Sequence, residues 1–432
     1  MDLLFKDITV IPMEGERVLR GACVGVDAGK ICHVGGNDPK LSADRVIDGS
    51  DKLLLPGLYN CHTHTPMSLM RGYASDLKLQ DWLFNYISPV EGRFAEGMAY
   101  TGALISVAEM LSNGVVSFSD MYFMLEGIAA AADEAGVKAN LCNGMTAFSP
   151  EFDYFKDRSY METAYILNNY HHRADGRIKA DAGIHAEFTS FGRAWRQVVE
   201  LAEEHGLIMH IHLSETLLEH ENCKAKYGTT PAQTLNGYGV FDVRAIAAHC
   251  VWLEDSDIDI FREKSVTAVH NPVSNLKLSS GAAPIERLIK AGVNVALGTD
   301  GAASNNSLDP LADLKLASIL QKCRAGDPTA LPAYEALKLV TVNGAAAQGR
   351  EKESGRIALG LDADLVMLDL HSPRQTAAID PAASAVYSCT GRDVELTMCQ
   401  GRILYEKGEY KTIDIEKAMF EAKRAVKKLG IL

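Results

Sequence analysis

The sequence predicts an α/β protein, a (β/α)8 TIM barrel carrying a small β-sandwich domain built from both chain ends. Three observations carry that prediction. Strand-like apolar runs alternate with helical patterns through the middle of the chain, the order that a parallel sheet covered by helices requires. Short alternating segments separated by Gly and Asp turns occupy both ends. No glycine-rich phosphate fingerprint follows the first strand of the middle region, so a barrel is preferred over a doubly wound dinucleotide-binding sheet.

Taken in order, D-I-T-V-I-P, A-C-V-G-V-D and K-I-C-H-V-G-G read as a small antiparallel sheet within residues 1–56, the N-terminal part of the sandwich. Residues 57–350 form the barrel. Its eight strand candidates are L-Y-N-C-H-T-H, V-V-S-F-S-D, K-A-N-L-C-N, I-K-A-D-A-G-I-H, L-I-M-H-I-H-L, A-I-A-A-H-C, V-T-A-V-H-N and V-N-V-A-L-G-T-D. Helical patterns such as Y-T-G-A-L-I-S-V-A-E-M-L and R-Q-V-V-E-L-A-E-E-H separate them. Residues 351–432 return to strand-like runs, A-D-L-V-M-L-D-L, V-E-L-T-M-C-Q-G and R-I-L-Y-E-K-G. They close on I-D-I-E-K-A-M-F-E-A-K-R-A-V-K-K-L, a helix expected to pack on the outside. At 432 residues, one large domain with a smaller one is the expected arrangement.

Composition narrows the function classes. A net charge of −13 argues against a nucleic-acid or anionic-membrane partner, both of which need a basic surface. The opening M-D-L-L-F-K-D is interrupted by charge, so no signal peptide is expected, and no apolar run approaches the roughly 20 residues of a membrane span. Nine scattered cysteines without a C-x-x-C pair favour a reducing, cytoplasmic setting over a disulfide framework. Self-association into a homo-oligomer is left open.

Barrel active sites form at the C-terminal strand ends. There the sequence places His62 and His64 on strand one, His185 on strand four, His212 on strand five, His249 on strand six and Asp300 on strand eight. Residues i and i+2 of a strand share a face, so His62 and His64 project together. With His212 and Asp300 they form a three-His, one-Asp set suited to a single first-row divalent ion such as zinc. Lys179, the only lysine on strand four, lies near its start, at the opposite end from these residues, so a lysine-bridged second metal is not expected. Glu215 follows His212 by three residues and is the candidate proton shuttle; the alternative is a helix N-terminal carboxylate. His249 is a candidate to orient the attacking hydroxide. His270 is read as either packing or support for the site, and His210 as a core residue. His33, His171, His172, His205, His220 and His371 read as surface or loop residues.

The motifs P-G-L-Y-N-C-H-T-H-T-P-M-S-L-M-R-G, D-W-L-F-N-Y-I-S-P-V-E, H-I-H-L-S-E-T, A-A-H-C-V-W-L, H-N-P-V-S-N-L-K-L and G-T-D-G-A-A-S-N-N-S-L-D resemble the amidohydrolase superfamily over essentially the whole chain. Within it the chain resembles the 5-methylthioadenosine/S-adenosylhomocysteine deaminase branch. The resemblance implies metal ligation by His62, His64, His212 and Asp300, proton transfer by Glu215, and contact of His249 with the attacking hydroxide. It implies ribose contacts from Trp82 and Glu91 and a purine contact from His185. Where members acting on S-adenosylhomocysteine carry a carboxylate-binding arginine, this chain reads L-C-N-G-M-T and offers Asn143. Arg158 corresponds to a second family arginine across a loop of different length. A neutral 5′ substituent is therefore expected to be accepted better than a charged amino-acid tail.

The expected function is hydrolytic deamination of a 6-aminopurine nucleoside to the 6-oxo nucleoside and ammonia, with Glu215, His249 and Asp300 as the catalytic residues. The alternatives are a deaminase or dechlorinase of another amino-heterocycle (guanine, pterin or triazine) and a catalytically silent scaffold of the same fold. Ribose contacts from Trp82 and Glu91 argue against free bases, and the full ligand set argues against the scaffold.

Overall fold

The computed structural model describes residues 1–172, 175–376 and 378–431. The chain opens with β1 (Leu3–Val10), β2 (Leu19–Asp27), β3 (Lys30–Gly36), β4 (Arg45–Asp48) and β5 (Lys52–Pro56). Next come β6 (Leu58–Thr63), β7 (Val115–Met121), β8 (Lys138–Cys142) and β9 (Ile178–Ala180), followed by β10 (Ala182–Ala186), β11 (Met209–Leu213), β12 (Ala245–His249), β13 (Thr267–His270) and β14 (Val295–Leu297). It returns to strand in β15 (Leu365–Asp369), β16 (Val394–Cys399), β17 (Arg402–Glu406) and β18 (Glu409–Tyr410).

Strands from both chain ends join one sheet in the order β18-β17-β16-β15-β5-β1-β2-β3, with β4 also on β1. The predicted antiparallel N-terminal sheet is in fact mixed. β1 pairs antiparallel with β2 but parallel with β4 along Leu3–Lys6 and with β5 at Thr9 and Val10. The chain returns to the start of β1 after β3, and alternation of side chains says nothing about strand direction. Phe5, Ile8, Val24, Leu54, Leu365 and Met398 pack a separate apolar cluster on this sheet.

β6 to β9 form a four-stranded parallel sheet, and β10 to β14 a five-stranded parallel sheet. Every residue of β6, β7, β8, β11, β12, β13 and β14 is buried, as expected of parallel strands covered on both faces. Helices such as Met98–Ser112, Leu125–Ala135 and Gly192–His205 connect them, and Pro310–Ala325 follows β14. The last is set by its ends. Asp309 accepts from the N–H groups of Leu311 and Ala312, Pro310 begins the first turn, and Gly326 stops the helix at φ 63°.

One predicted strand is split. I-K-A-D-A-G-I-H breaks at Asp181, so that β9 pairs with β8 while β10 pairs with β11. The contact resumes past the break, where Met145 N–H donates to Gly183 O (3.1 Å) and His185 N–H to Met145 O (3.0 Å). Glycine is required at 183: a Cβ there would lie 2.3 Å from the Asn143 carbonyl oxygen.

Buried charges tie the two regions together. Lys138 Nζ, inaccessible to solvent, lies 2.6 Å from both Asp362 and Asp364 just before β15. Breaking such a pair would strand an uncompensated charge. Arg350 is buried as well and donates to the carbonyl of Arg177 (2.7 Å). Helix Ile415–Leu429 packs on Met98–Ser112. Among the described residues no helix is long and apolar enough to cross a membrane.

Candidate active site

The strand ends bring together the residues that the sequence singled out. His62, His64 and Asp300 form one ligand-spaced group, and His62, His212 and His249 a second that shares His62. Their backbones are joined directly: Asp300 N–H donates to His62 O (2.9 Å), and Thr63 Oγ1 to Asp300 O (3.0 Å). Gly298 lets the segments approach this closely, because a Cβ there would lie 2.8 Å from the His62 nitrogen.

The predicted extended ends of two strands adopt another conformation. β14 stops at Leu297, and Asp300 takes a left-handed backbone at φ 62°; His249 does so at φ 73°. Non-glycine residues held there cost on the order of 1–3 kcal/mol and cluster at functional sites. At His249 the surroundings enforce it: its N–H donates to Asn271 Oδ1 (3.3 Å), and the following Cys250 N–H to Leu213 O (3.0 Å).

Each histidine is oriented from behind. His64 Nδ1 donates to Met121 O (2.5 Å), His212 Nδ1 to His185 O (2.7 Å) and His249 Nδ1 to Asn275 Oδ1 (2.8 Å). Those oxygens are acceptors, so the protons sit on Nδ1 and the Nε2 lone pairs point inward. The Nε2 atoms of His64 and His212 are 3.3 Å apart. Asp300 is arranged likewise. Its Oδ2 accepts from Ser274 (2.6 Å) and Ser304 (2.7 Å), leaving Oδ1 3.5 Å from His62 Nε2 and 3.3 Å from His64 Nε2.

The electrostatics draw positive charge to this point. Burial lowers His62 to about 3 and holds His212 well below its usual value. Burial also opposes charge on His64, yet the facing Asp300 carboxylate wins and lifts it to about 9. Asp300 in turn is held well below the usual carboxylate range by His62 and His64, against the effect of burial. Converging lone pairs, an orphaned buried His62 Nε2 and an oriented carboxylate oxygen are a donor set that fits a divalent cation.

Glu215 stands beside this cluster, its Oε2 3.8 Å from His249 Nε2, with Ser280 donating to Oε1 (3.2 Å). Burial raises its proton affinity. The helix-capping part that Glu215 could have played falls to Thr216, whose Oγ1 accepts from Glu219 N–H (3.2 Å), while the Glu219 carboxylate accepts from the N–H groups of Ser214 and Glu215 (2.8 Å each). Lys179 is turned away and donates to Gly349 O (3.1 Å) and Glu353 (2.8 Å).

Above the cluster opens a cavity of about 520 Å³, lined by Trp82, Glu91, Asn143, Arg158 and His185 among others. Trp82 begins a π-helical turn, Trp82–Ile87, a rare geometry that recurs at functional sites. Burial raises the Glu91 carboxyl and lowers His185 to about 4, so that the imidazole is neutral. The ring of His185 is held by Thr189 (3.0 Å). Asn143 and Arg158 both bind Glu162 instead of facing the cavity with free donors at every atom.

Several participants were not legible beforehand. His210 is buried in the core, as its position indicates, but its Nε2 also lies 2.9 Å from His62 Nδ1. His220, expected at the surface, is 4% exposed and contacts Ser214 Oγ (3.4 Å). Tyr122, stacked on Phe123 at 4.4 Å, lines the cavity; its place directly after a strand end was the available signal. His270 is buried, with neither ring nitrogen hydrogen-bonded among the described residues.

The amidohydrolase family profile matches residues 53–404. A 5-methylthioadenosine/S-adenosylhomocysteine deaminase of Caldanaerobacter subterraneus is 40% identical over 429 residues, covering 99% of this chain and 99% of that protein. A 5′-deoxyadenosine deaminase of Methanothermobacter thermautotrophicus is 41% identical over 412 residues, 95% of each chain. The crystal structure of an adenosine deaminase from Xanthomonas campestris with bound zinc superposes with a TM-score of 0.95 at 31% identity, over 100% of this chain and 99% of that one. A profile match across most of the sequence and relatives aligned nearly end to end mean that the chain belongs to the amidohydrolase family.

Proposed function

We propose that the protein is a metal-dependent hydrolytic deaminase of 6-aminopurine nucleosides, releasing ammonia and the 6-oxo nucleoside. The observation that carries this reading is the convergence of four histidine Nε2 atoms, Asp300 Oδ1 and buried Glu215 at the base of a cavity of about 520 Å³. The names of the relatives, nucleoside deaminases all three, support the substrate class.

His62, His64 and His212 through Nε2, and Asp300 through Oδ1, are the residues that would hold one divalent ion, zinc by analogy with the related adenosine deaminase. Bound there, the ion supplies Lewis acidity that makes water nucleophilic near neutral pH. Glu215 takes a proton from the attacking water and delivers it to purine N1, which makes C6 more electrophilic. Its raised proton affinity suits both halves of that transfer. His249, fixed by Asn275, orients the water toward C6, and Asp300 carries the remaining proton to the departing ammonia. Trp82 and Glu91 contact the ribose and neutral His185 the purine, while Asn143 and Arg158 lie toward the 5′ end.

In the same reading the two parallel sheets are arcs of one (β/α)8 barrel spanning residues 57–350. Hydrogen bonds across both seams support this, Met145 to Gly183 on one side and Asp300 to His62 on the other. Residues 1–56 and 351–432 then form the β-sandwich domain, with the terminal helix. Nine unpaired cysteines favour a cytoplasmic setting.

Ammonia release from adenosine, 5′-deoxyadenosine, methylthioadenosine, S-adenosylhomocysteine, guanine and a pterin tests the reading. Turnover confined to the nucleosides is expected. Turnover of a free base alone would overturn it.

A further inference from the structure

Arg158 is the only Lys or Arg among the described residues lining the cavity, while Glu91, Asp157, Glu215 and Asp300 line it as acids. Its charge is already answered. Arg158 Nε donates to Glu162 Oε1 at 2.6 Å, and the guanidinium lies 5.7 Å over the Phe123 ring. The other oxygen, Glu162 Oε2, accepts from Asn143 Nδ2 (2.9 Å) and Leu125 N–H (3.3 Å). The Glu162 side chain is 15% exposed, Arg158 59%. Three donors from three segments therefore fix a mostly buried carboxylate directly behind the polar part of the cavity wall. The cavity wall also carries Phe84, Phe123, Phe148 and Phe188, and of these Phe123 lies against the Arg158 guanidinium.

We propose that Glu162 sets the substrate class at the outer end of the cavity: by occupying Asn143 and neutralising Arg158 it favours a neutral, apolar 5′ substituent and disfavours one that carries a carboxylate. This rests on the nucleoside reading, in which C6 sits at the His/Asp cluster and the 5′ carbon lies toward the exposed rim. Asn143 is 8% exposed, and the amide that could have met a carboxylate donates to Glu162. An incoming anion finds the unused Arg158 nitrogens, but within the field of a second negative charge. At the intermediate dielectric of a cavity rim, a charge a few ångströms away is sufficient for about a tenfold preference. The alkyl or alkylthio group of a neutral nucleoside loses nothing to that field and gains contact with the phenylalanine rings.

The test uses two nucleosides that differ by one carboxylate, methylthioadenosine and its 5′-carboxymethylthio analogue, with 5′-deoxyadenosine as reference. In the wild type, kcat/KM for the carboxylate is expected to be about tenfold or more below that for methylthioadenosine, the difference residing in KM. Glu162→Gln keeps the shape and an acceptor oxygen but removes the charge, and should narrow the gap about tenfold. Arg158→Met leaves Glu162 without its cation and should widen it, a change of opposite sign that lost folding does not produce. Equal kcat/KM for the pair in the wild type, or a parallel fall for both in Glu162→Gln, would overturn the proposal. Release of ammonia from none of the nucleosides would instead overturn the nucleoside reading, and the proposal with it.

Discussion

His62 and His210 share a single hydrogen bond, Nδ1 to Nε2 at 2.9 Å, deep in the site. Only one proton fits between them. For His62 Nε2, which faces Asp300 Oδ1 at 3.5 Å, to present a lone pair, the proton must lie on His62 Nδ1 and His210 must accept it. His210 then carries its own proton on Nδ1, where Cys142 Sγ lies 3.7 Å away. One buried histidine thus fixes the tautomer of another.

The metal affinity of the protein should depend on this pair. Replacing His210 with Phe removes the acceptor without opening a large cavity, and affinity should fall about 10- to 100-fold, as is usual when the group orienting a ligand is lost. Chelator competition measures it, with circular dichroism confirming the fold. An unchanged dissociation constant would mean that the ligating tautomer of His62 does not depend on His210.

Purified protein should carry about one equivalent of divalent metal, as one four-ligand site requires. Elemental analysis decides this. Two equivalents, with a carboxylated lysine between them, would contradict the placement of Lys179, whose amine is committed to Gly349 and Glu353.

Glu215→Gln keeps the volume and an acceptor for Ser280 but cannot shuttle a proton. Turnover should drop by about 10²-fold or more while metal content stays at the wild-type level. Near-normal kcat would assign the proton to another group.

Stability should vary with pH through Asp181. Burial raises this carboxyl to about 7, against the opposing hydrogen bonds from Asn140 Nδ2 at 3.0 and 3.1 Å. In the unfolded chain it titrates near about 3.9. The folded state therefore holds the proton more tightly. The stabilisation is complete below about pH 4 and is lost as pH rises through about 7. Asp181→Asn removes that dependence, so its stability relative to the wild type should increase from pH 4 to pH 8 in urea titrations. A difference that does not change with pH would place the Asp181 pKa at its ordinary value.

The cluster at the strand ends was legible because each member ends an apolar run: His62, His64, His212, His249 and Asp300 are all buried or nearly so and meet in space. The supports were not. Asn275 and Ser274 lie on the short helix Pro272–Lys277 and Ser304 in a turn, and nothing in their local sequence says that they hold His249 and Asp300. Glu162 has partners 4, 19 and 37 residues away in the chain, a separation that periodicity cannot register. Alternation found β1 to β3, but the parallel partners of β1 depend on the path of the chain and not on side-chain pattern. The left-handed turns at His249 and Asp300 are imposed by neighbours against the preference of both residues.

The pairing of β5 with β15 reaches across the whole catalytic region, from Lys52–Pro56 to Leu365–Asp369. During synthesis β5 emerges about 300 residues ahead of that partner, an interval of roughly 15 to 60 s at ordinary elongation rates. Throughout that time its apolar, unpaired edge is open to any neighbouring nascent chain. The strand that leads into His62 is therefore also one that must wait, with an apolar edge uncovered, until β15 has been made.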